Sequence, residues 1–284
     1  MKEPSNFERH EQIPPPEALL TTDNIAHIVH SRRRPEYPGR DTVESLSVEE
    51  QNATIHRRLG SGGSKEVYDI EIAGQHYALG ICGIQDGPER MVEKWKIVLQ
   101  EPANTQYLRE RGFLVNELCD IRPTAVNGTP FPGIIMRRYQ DLPFRVFDGK
   151  NINREGVTLF NKDTQLNDEV MLEIMRPIID EIVRLIKNGI QLGRDNFSLA
   201  ESQGAVHLYF NDLGTMAVNK IPEEDFSRYI EYYTMWVRGA LVNGVDHDTY
   251  ENNPYIHILG NRGNSFTTKF EEAVKQRLTQ LRSS

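Results

Sequence analysis

From Thr54 onward, apolar and polar positions alternate in short runs. Ile55 to Leu59 leads into Gly60-Ser61-Gly62-Gly63-Ser64, and Val67-Tyr68-Asp69-Ile70-Glu71-Ile72 alternates behind it. Ala73-Gly74 reads as a turn and His76 to Ile81 as a further short strand. A period of two, broken by glycines and a tight turn, predicts an antiparallel meander. The period then changes. Met91, Val92, Trp95, Val98 and Leu99 recur at helical spacing, which predicts a helix over residues 89–99. Pro102 interrupts it, and a second helical piece is expected to run to about Arg111. Strands are expected at Phe113–Ile121 and Gly133–Tyr139.

The second half opens with a mostly polar stretch, Asp148 to Asp168. A long helix is predicted over Glu169–Lys187, with Val170, Ile174, Ile178, Ile182, Leu185 and Ile186 on its apolar stripe. Pro177 should kink it and Gly189 should end it. Phe197–Leu199 and Val206–Phe210 read as two strands around a turn at Glu201–Gly204, and Glu223–Val242 and Ser265–Leu281 as helices. Strands first and helices later predict an α+β protein, with a small antiparallel sheet lobe and a helical lobe. Pro14–Pro16 and the basic cluster Arg32–Arg34 flank a possible short helix, Leu19–Val29. The expected division is therefore a flexible leader or targeting segment at 1–50, a sheet with its helix at 51–142, and a helical part at 143–284.

Composition narrows the classes. The chain has 284 residues, 38% of them hydrophobic and 26% charged, with a formal net charge of −8. An acidic chain without a long basic run argues against a nucleic-acid partner. The cysteines, Cys82 and Cys119, lie far apart, which argues against a disulfide framework and against a zinc site. No run of 18 apolar residues predicts a membrane span. The polar start, Met1 to Glu11, lacks an apolar signal core. The expected location is the cytoplasm, or a host cell reached through a dedicated bacterial secretion system. Oligomeric state is not legible.

The strongest chemical signal is Leu59-Gly60-Ser61-Gly62-Gly63-Ser64-Lys65-Glu66-Val67-Tyr68. Glycines between two strands let the backbone turn tightly and aim N–H groups at phosphate oxygens. The segment resembles the protein-kinase glycine-rich loop, G-x-G-x-x-G-x-V, with Lys65 in place of the third glycine. On the next strand kinases carry a lysine in a V-A-x-K pattern. Here Tyr77-Ala78-Leu79-Gly80 stands instead, and the lysine is missing. The two departures are similar to the "with-no-lysine" kinases, whose lysine sits on the glycine-loop strand.

Two later segments extend the resemblance. Asn188-Gly189-Ile190-Gln191-Leu192-Gly193-Arg194-Asp195-Asn196 follows the long helix, and Asn211-Asp212-Leu213-Gly214 ends an apolar strand. They resemble a kinase catalytic loop and the D-F-G metal motif. Gln191 stands where kinases place the base aspartate. The pair Asp195-Asn196 is similar to that of phosphoinositide kinases and of selenoprotein O, a kinase-like protein that transfers AMP. No A-P-E follows Gly214. A short activation segment is similar to the minimal kinase-like effectors of bacterial pathogens.

The resemblance covers about residues 55–240 and implies a two-lobed protein-kinase-like fold with an ATP cleft between lobes. It implies ATP and Mg2+ as cofactors and a protein substrate. Gly60, Ser61, Gly62, Gly63, Ser64 and Lys65 would hold the phosphates, and Val67 and Ala78 the nucleobase. Met136 would back the adenine, and the backbone of Arg138 to Gln140, Tyr139 included, would meet its edge. Asn196 and Asp212 would bind the metal, and Asp195 would act as base. Glu101 or Glu93 would pair with the lysine. Phosphorylation of a protein hydroxyl, another transfer such as AMPylation or glutamylation, and nucleotide binding by a pseudokinase all follow from this pattern.

Overall fold

The structure, a computed structural model, describes residues 43, 45–61, 65–82, 94–147, 168–193, 196–243 and 265–281. The expected leader lies almost wholly outside them, as do the polar stretch after Asp148, Glu93, Gly62 to Ser64 and Asp195. The protein is mixed α+β. Its contacts divide it into two units, Met1–Leu99 with Asp120–Ile135, and Gln100–Cys119 with Met136–Ser284. The observed border differs from one at residue 142, because residues 100–119 belong to the second unit.

The first unit is built on a seven-stranded sheet. Its strands are β1 (Leu46–Val48), β2 (Gln51–Asn52), β3 (Thr54–Ser61), β4 (Lys65–Ile72), β5 (Gln75–Cys82), and two later ones that continue past the unit's edge. β4 and β5 pair antiparallel without interruption from Lys65↔Cys82 to Ile72↔Gln75. The turn between them takes positive φ at both Ala73 (50°) and Gly74 (79°), the backbone twist that matches two flanking strands. Tyr68, Ile70, Leu79 and Ile81 are buried on one face of this hairpin. Residues 94–98 are helical and carry Trp95, whose ring meets Phe131 edge-on at 6.3 Å.

The second unit begins with α1 (Glu101–Glu110) and β6 (Leu114–Val115). The strand expected over Phe113–Ile121 is broken here: after β6 the chain turns and resumes as β7 (Cys119–Val126) in the other sheet. Asn116 makes the turn. Its side-chain oxygen accepts from the Leu118 N–H, and the Arg109 guanidinium gathers the carbonyls of Asn116 and Glu117 at 2.8 and 2.6 Å. β8 (Thr129–Met136) starts earlier than Gly133 and stops before Tyr139, where a 3-10 turn (Tyr139–Asp141) takes over. Pro130 and Pro132 argue locally against a strand there. The positive-φ turn at Asn127-Gly128 starts β8 regardless.

The long helix is likewise two helices, α2 (Asp168–Ile174) and α3 (Arg176–Lys187), parted at Met175. Pro177 lies in the first turn of α3, where the missing N–H has no partner to lose, so it opens a helix instead of kinking one. Gly189 does end α3. Its φ is +66°, and a Cβ there would stand 2.1 Å from the Asn219 carbonyl oxygen, so no other residue fits.

The second unit is not simply helical. With β9 (Arg145–Phe147), β10 (Ile190–Gln191), β11 (Phe197–Ser202), β12 (Ala205–Phe210) and β13 (Ala217–Val218), it holds a four-stranded sheet, β6-β12-β11-β9, and a small pair, β10-β13. β12 runs parallel to β6 and antiparallel to β11. α4 (Phe226–Asn243) and α5 (Ser265–Gln280) follow. Ile178, Ile182, Leu185 and Ile186 of α3 join Leu199, Leu208 and Phe210 of the sheet and Tyr233, Phe270 and Val274 in one core. No described helix is long and apolar enough to cross a membrane.

Candidate functional site

In the first unit, strand register decides which residues share a face. Directly opposed residues of antiparallel strands project to the same side, as do residues i and i+2. Lys65, Val67, Asp69 and Glu71 of β4 stand opposite Cys82, Gly80, Ala78 and His76 of β5. Lys65, Val67 and Ala78 are thus on one face, with Gly80 diagonal to Lys65 and bearing no side chain. This face is the reverse of the one holding Ile70 and Leu79. Lys65, Asp69 and Ala78 are buried and Val67 half-buried. On the other face Tyr68 donates its hydroxyl to Glu66 at 2.5 Å. Burial, then that carboxylate, pushes the Tyr68 phenol far above its ordinary range.

Gly60 and Ser61 close β3, opposite Val67 and Glu66, after a bulge between Arg58 and Gly60. A Cβ at Gly60 would meet no described atom within 4 Å, and its φ is not left-handed. No described protein contact therefore requires glycine there.

In the second unit the Asp212 segment is held by amides. Asp212 itself follows β12 in a left-handed conformation, φ 49° and ψ 47°. That region costs a non-glycine residue roughly 1–2 kcal/mol, least for Asp and Asn. Asn196, 4% exposed, secures it. Its side-chain amide donates to the Asp212 carbonyl oxygen, its side-chain oxygen accepts from the Gly193 N–H, and its backbone carbonyl accepts from the Asn211 N–H. Asn196 and Asp212 are therefore brought together. Among the described residues, the Asn196 oxygen's second lone pair meets the Thr215 hydroxyl at 3.5 Å. Gln191, where a base aspartate was sought, pairs with Ala217 across β10 and β13.

Four residues that the sequence did not single out complete this region. Asn104 of α1 donates to the Leu213 carbonyl oxygen at 2.7 Å. Asn211 donates to the Tyr139 and Ser198 hydroxyls, each at 3.2 Å, and so ties the 3-10 turn after β8 to the residue before Asp212. Asn116 clasps Arg137 at both its N–H and its carbonyl, 3.1 and 2.8 Å. Glu181 of α3 accepts from the Leu208 N–H at 2.7 Å and from His207 Nδ1 at 2.9 Å, anchoring β12 upstream of Asp212. Burial raises the Glu181 carboxyl above its ordinary value, against the pull of those two donors. The Tyr139 ring stands edge-on to Tyr209 at 5.6 Å, Arg138 pairs with Asp141 at 2.7 Å, and Met136 ends β8 half-buried. Glu101, proposed as an ion-pair partner, is buried in the first turn of α1, within the second unit.

No protein-family model matches the chain, and no curated protein sequence matches it. The functional reading therefore rests on these residues alone.

Ordered as they are, the two regions offer distinct chemistry. One presents an ammonium beside a half-buried valine and an alanine. The other presents a carboxylate whose backbone is fixed before any ligand arrives. An ammonium neutralises phosphate oxygens, and a carboxylate holds a hard divalent cation.

Proposed function

We propose that the protein is a kinase-like phosphotransferase that uses Mg2+ and ATP to modify a protein hydroxyl. The observation carrying this reading is the register of β4 against β5. It puts Lys65, Val67 and Ala78 on one face, with Gly80, which bears no side chain, at the position of the absent strand lysine. Lys65 would act on the phosphates, and Val67 and Ala78 would flank the base. The glycine at Gly60, unexplained by any described contact, is the residue that close approach of a phosphate calls for.

Asp212 fits a magnesium ligand: it is acidic, partly exposed, and held in place by Asn196. Mg2+ supplies charge neutralisation on the transferred phosphoryl group. Asn196 would add its second lone pair while continuing to hold the loop. Asp195 would orient the acceptor hydroxyl. Alignment and charge carry most of phosphoryl transfer, so Gln191 in place of the base aspartate is compatible with turnover. Met136, Arg138 and Tyr139 would meet the adenine.

A second reading, nucleotide binding without transfer, draws support from one observation. Both amide atoms of Asn196 are already committed to backbone partners, as in a residue kept for structure. Incubation with Mg2+ and either γ- or α-labelled ATP in a lysate separates the readings. Protein labelled from γ-ATP alone supports kinase activity, and label from α-ATP points to nucleotidyl transfer. Absence of both, with ATP still bound, selects the pseudokinase.

A further inference from the structure

The β3-β4-β5 sheet carries a second constellation at the end nearest the Ala73-Gly74 turn. Glu71 and His76 are directly opposed in the β4-β5 register and so share a face. On β3, Thr54 opposes Glu71 and Arg57 opposes Asp69, with a register shift between Ile55 and Arg57. His56 is the extra residue of that bulge. A bulge re-aims side chains, so His56 and Arg57 both reach the Glu71 face where strict alternation would split them.

The donor atoms converge. His56 Nε2 lies 3.1 Å and His76 Nε2 3.7 Å from the same oxygen, Oε2 of Glu71. All three candidate ligand atoms fall within 4.8 Å of one another. The far nitrogen of His76, Nδ1, faces Oδ1 of Asp69 at 3.6 Å, and Asp69 is only 9% exposed. The two imidazole rings lie 4.8 Å apart, tilted by 33°.

A metal ion satisfies all three ligands at once. Ligand atoms around a tetrahedral zinc at about 2.05 Å stand about 3.3 Å apart, so two of the contacts are already near that spacing. The third closes by rotation of part-exposed side chains. A ligating histidine normally gives its other N–H to a carboxylate, which is the place Asp69 holds.

We propose that His56, Glu71 and His76 bind a late first-row divalent ion of the zinc class, with Asp69 as the residue positioning His76. Two imidazoles and one carboxylate suit zinc better than magnesium or calcium. Three protein ligands leave one coordination position for solvent or a fourth donor. Bound metal would clamp the bulge of β3 to the β4-β5 hairpin. The cysteine count could not reveal this site, because none of its ligands is a thiol.

The test is calorimetric titration of the chelator-treated full chain with zinc chloride, without ATP, so that it is independent of Lys65 and Asp212. One ion should bind per chain. H56N, H76N and the near-isosteric E71Q should each weaken binding about tenfold or more, and D69N should weaken it less. Co2+ should give the intense visible bands of a four-coordinate site in wild type and not in H56N/H76N. Far-UV circular dichroism confirms that the variants fold, and E71Q decides the matter should a histidine variant fail. Absence of saturable zinc binding to wild type, or less than tenfold weakening by E71Q and the folded histidine variants, overturns the proposal.

Discussion

Two hairpins of this chain share a turn and differ in everything that follows from their faces. β4-β5 and β11-β12 each close through a non-glycine residue and a glycine at positive φ, Ala73-Gly74 and Gln203-Gly204. In β11-β12 both faces are covered: Leu199, Leu208 and Phe210 enter the main core, while Ala200 and Tyr209 pack with Val146 on the other side. In β4-β5 one face is core and the other carries Lys65, Asp69, Glu71 and His76. A hairpin with one polar face carries chemistry along its strands. A hairpin buried on both faces has none to spare and delivers its functional residue past its end, at Asp212.

The largest effect that separates them is in packing. Phe210→Ala should cost about 3–5 kcal/mol in urea denaturation, because its ring meets Phe113 at 5.2 Å and Phe197 at 6.3 Å. Tyr77→Ala on the first hairpin, a half-buried side chain whose hydroxyl donates to exposed Gln75, should cost far less. Similar losses for both would erase the contrast.

Next comes the polar fastening of the second hairpin's end. Asn196→Ala removes a buried amide that holds Gly193 and Asp212, and should cost about 2–3 kcal/mol in the same assay. A smaller difference tests the left-handed turn. Asp212→Gly should be more stable than Asp212→Ala by about 1 kcal/mol, since only glycine takes that φ without strain. Equal stabilities would mean that the turn relaxes when the aspartate is gone.

The smallest expected effect is a pH slope. Burial raises the Glu181 carboxyl in the folded protein above its unfolded value, so between the two the folded state holds the extra proton. Its contribution is then full below the ordinary carboxylate range and is lost as pH rises through the folded value. The stability of wild type minus that of E181Q should therefore fall with rising pH. A difference that grows with pH would mean that the donors on Leu208 and His207 outweigh burial.

The same contrast explains what was legible in the sequence. The alternation from Val67 to Ile72, the turn residues and the pairing of β11 with β12 follow from local pattern, and the α+β class follows from their order. The break at Asn116 and the start of a new helix at Pro177 do not, because a strand or a helix is ended there by partners distant in sequence. Likewise the Lys65 face could be read from a period of two. The fastening of Asp212 by Asn196, of Leu213 by Asn104 and of Tyr139 by Asn211 could not. Asparagine amides bonded to backbone or hydroxyl groups across tens of residues leave no periodic trace. His56, two residues after Thr54, falls on the Glu71 face by alternation, and it is Arg57 that reaches that face only through the bulge.

The proposal that Lys65 acts on ATP phosphates and Asp212 on Mg2+ is tested most directly by a thermal-shift titration with Mg2+ and ATP. Ligand that binds only the folded state raises its stability by about 2.7 kcal/mol at a hundred times Kd. Wild type should show the upward shift, and Lys65→Ala and Asp212→Gly should each abolish it. The Lys65→Ala/Gly80→Lys double variant, which returns a lysine to the neighbouring strand on the same face, should restore part of it. A wild-type shift that survives both single substitutions, or no shift at all, would contradict the account.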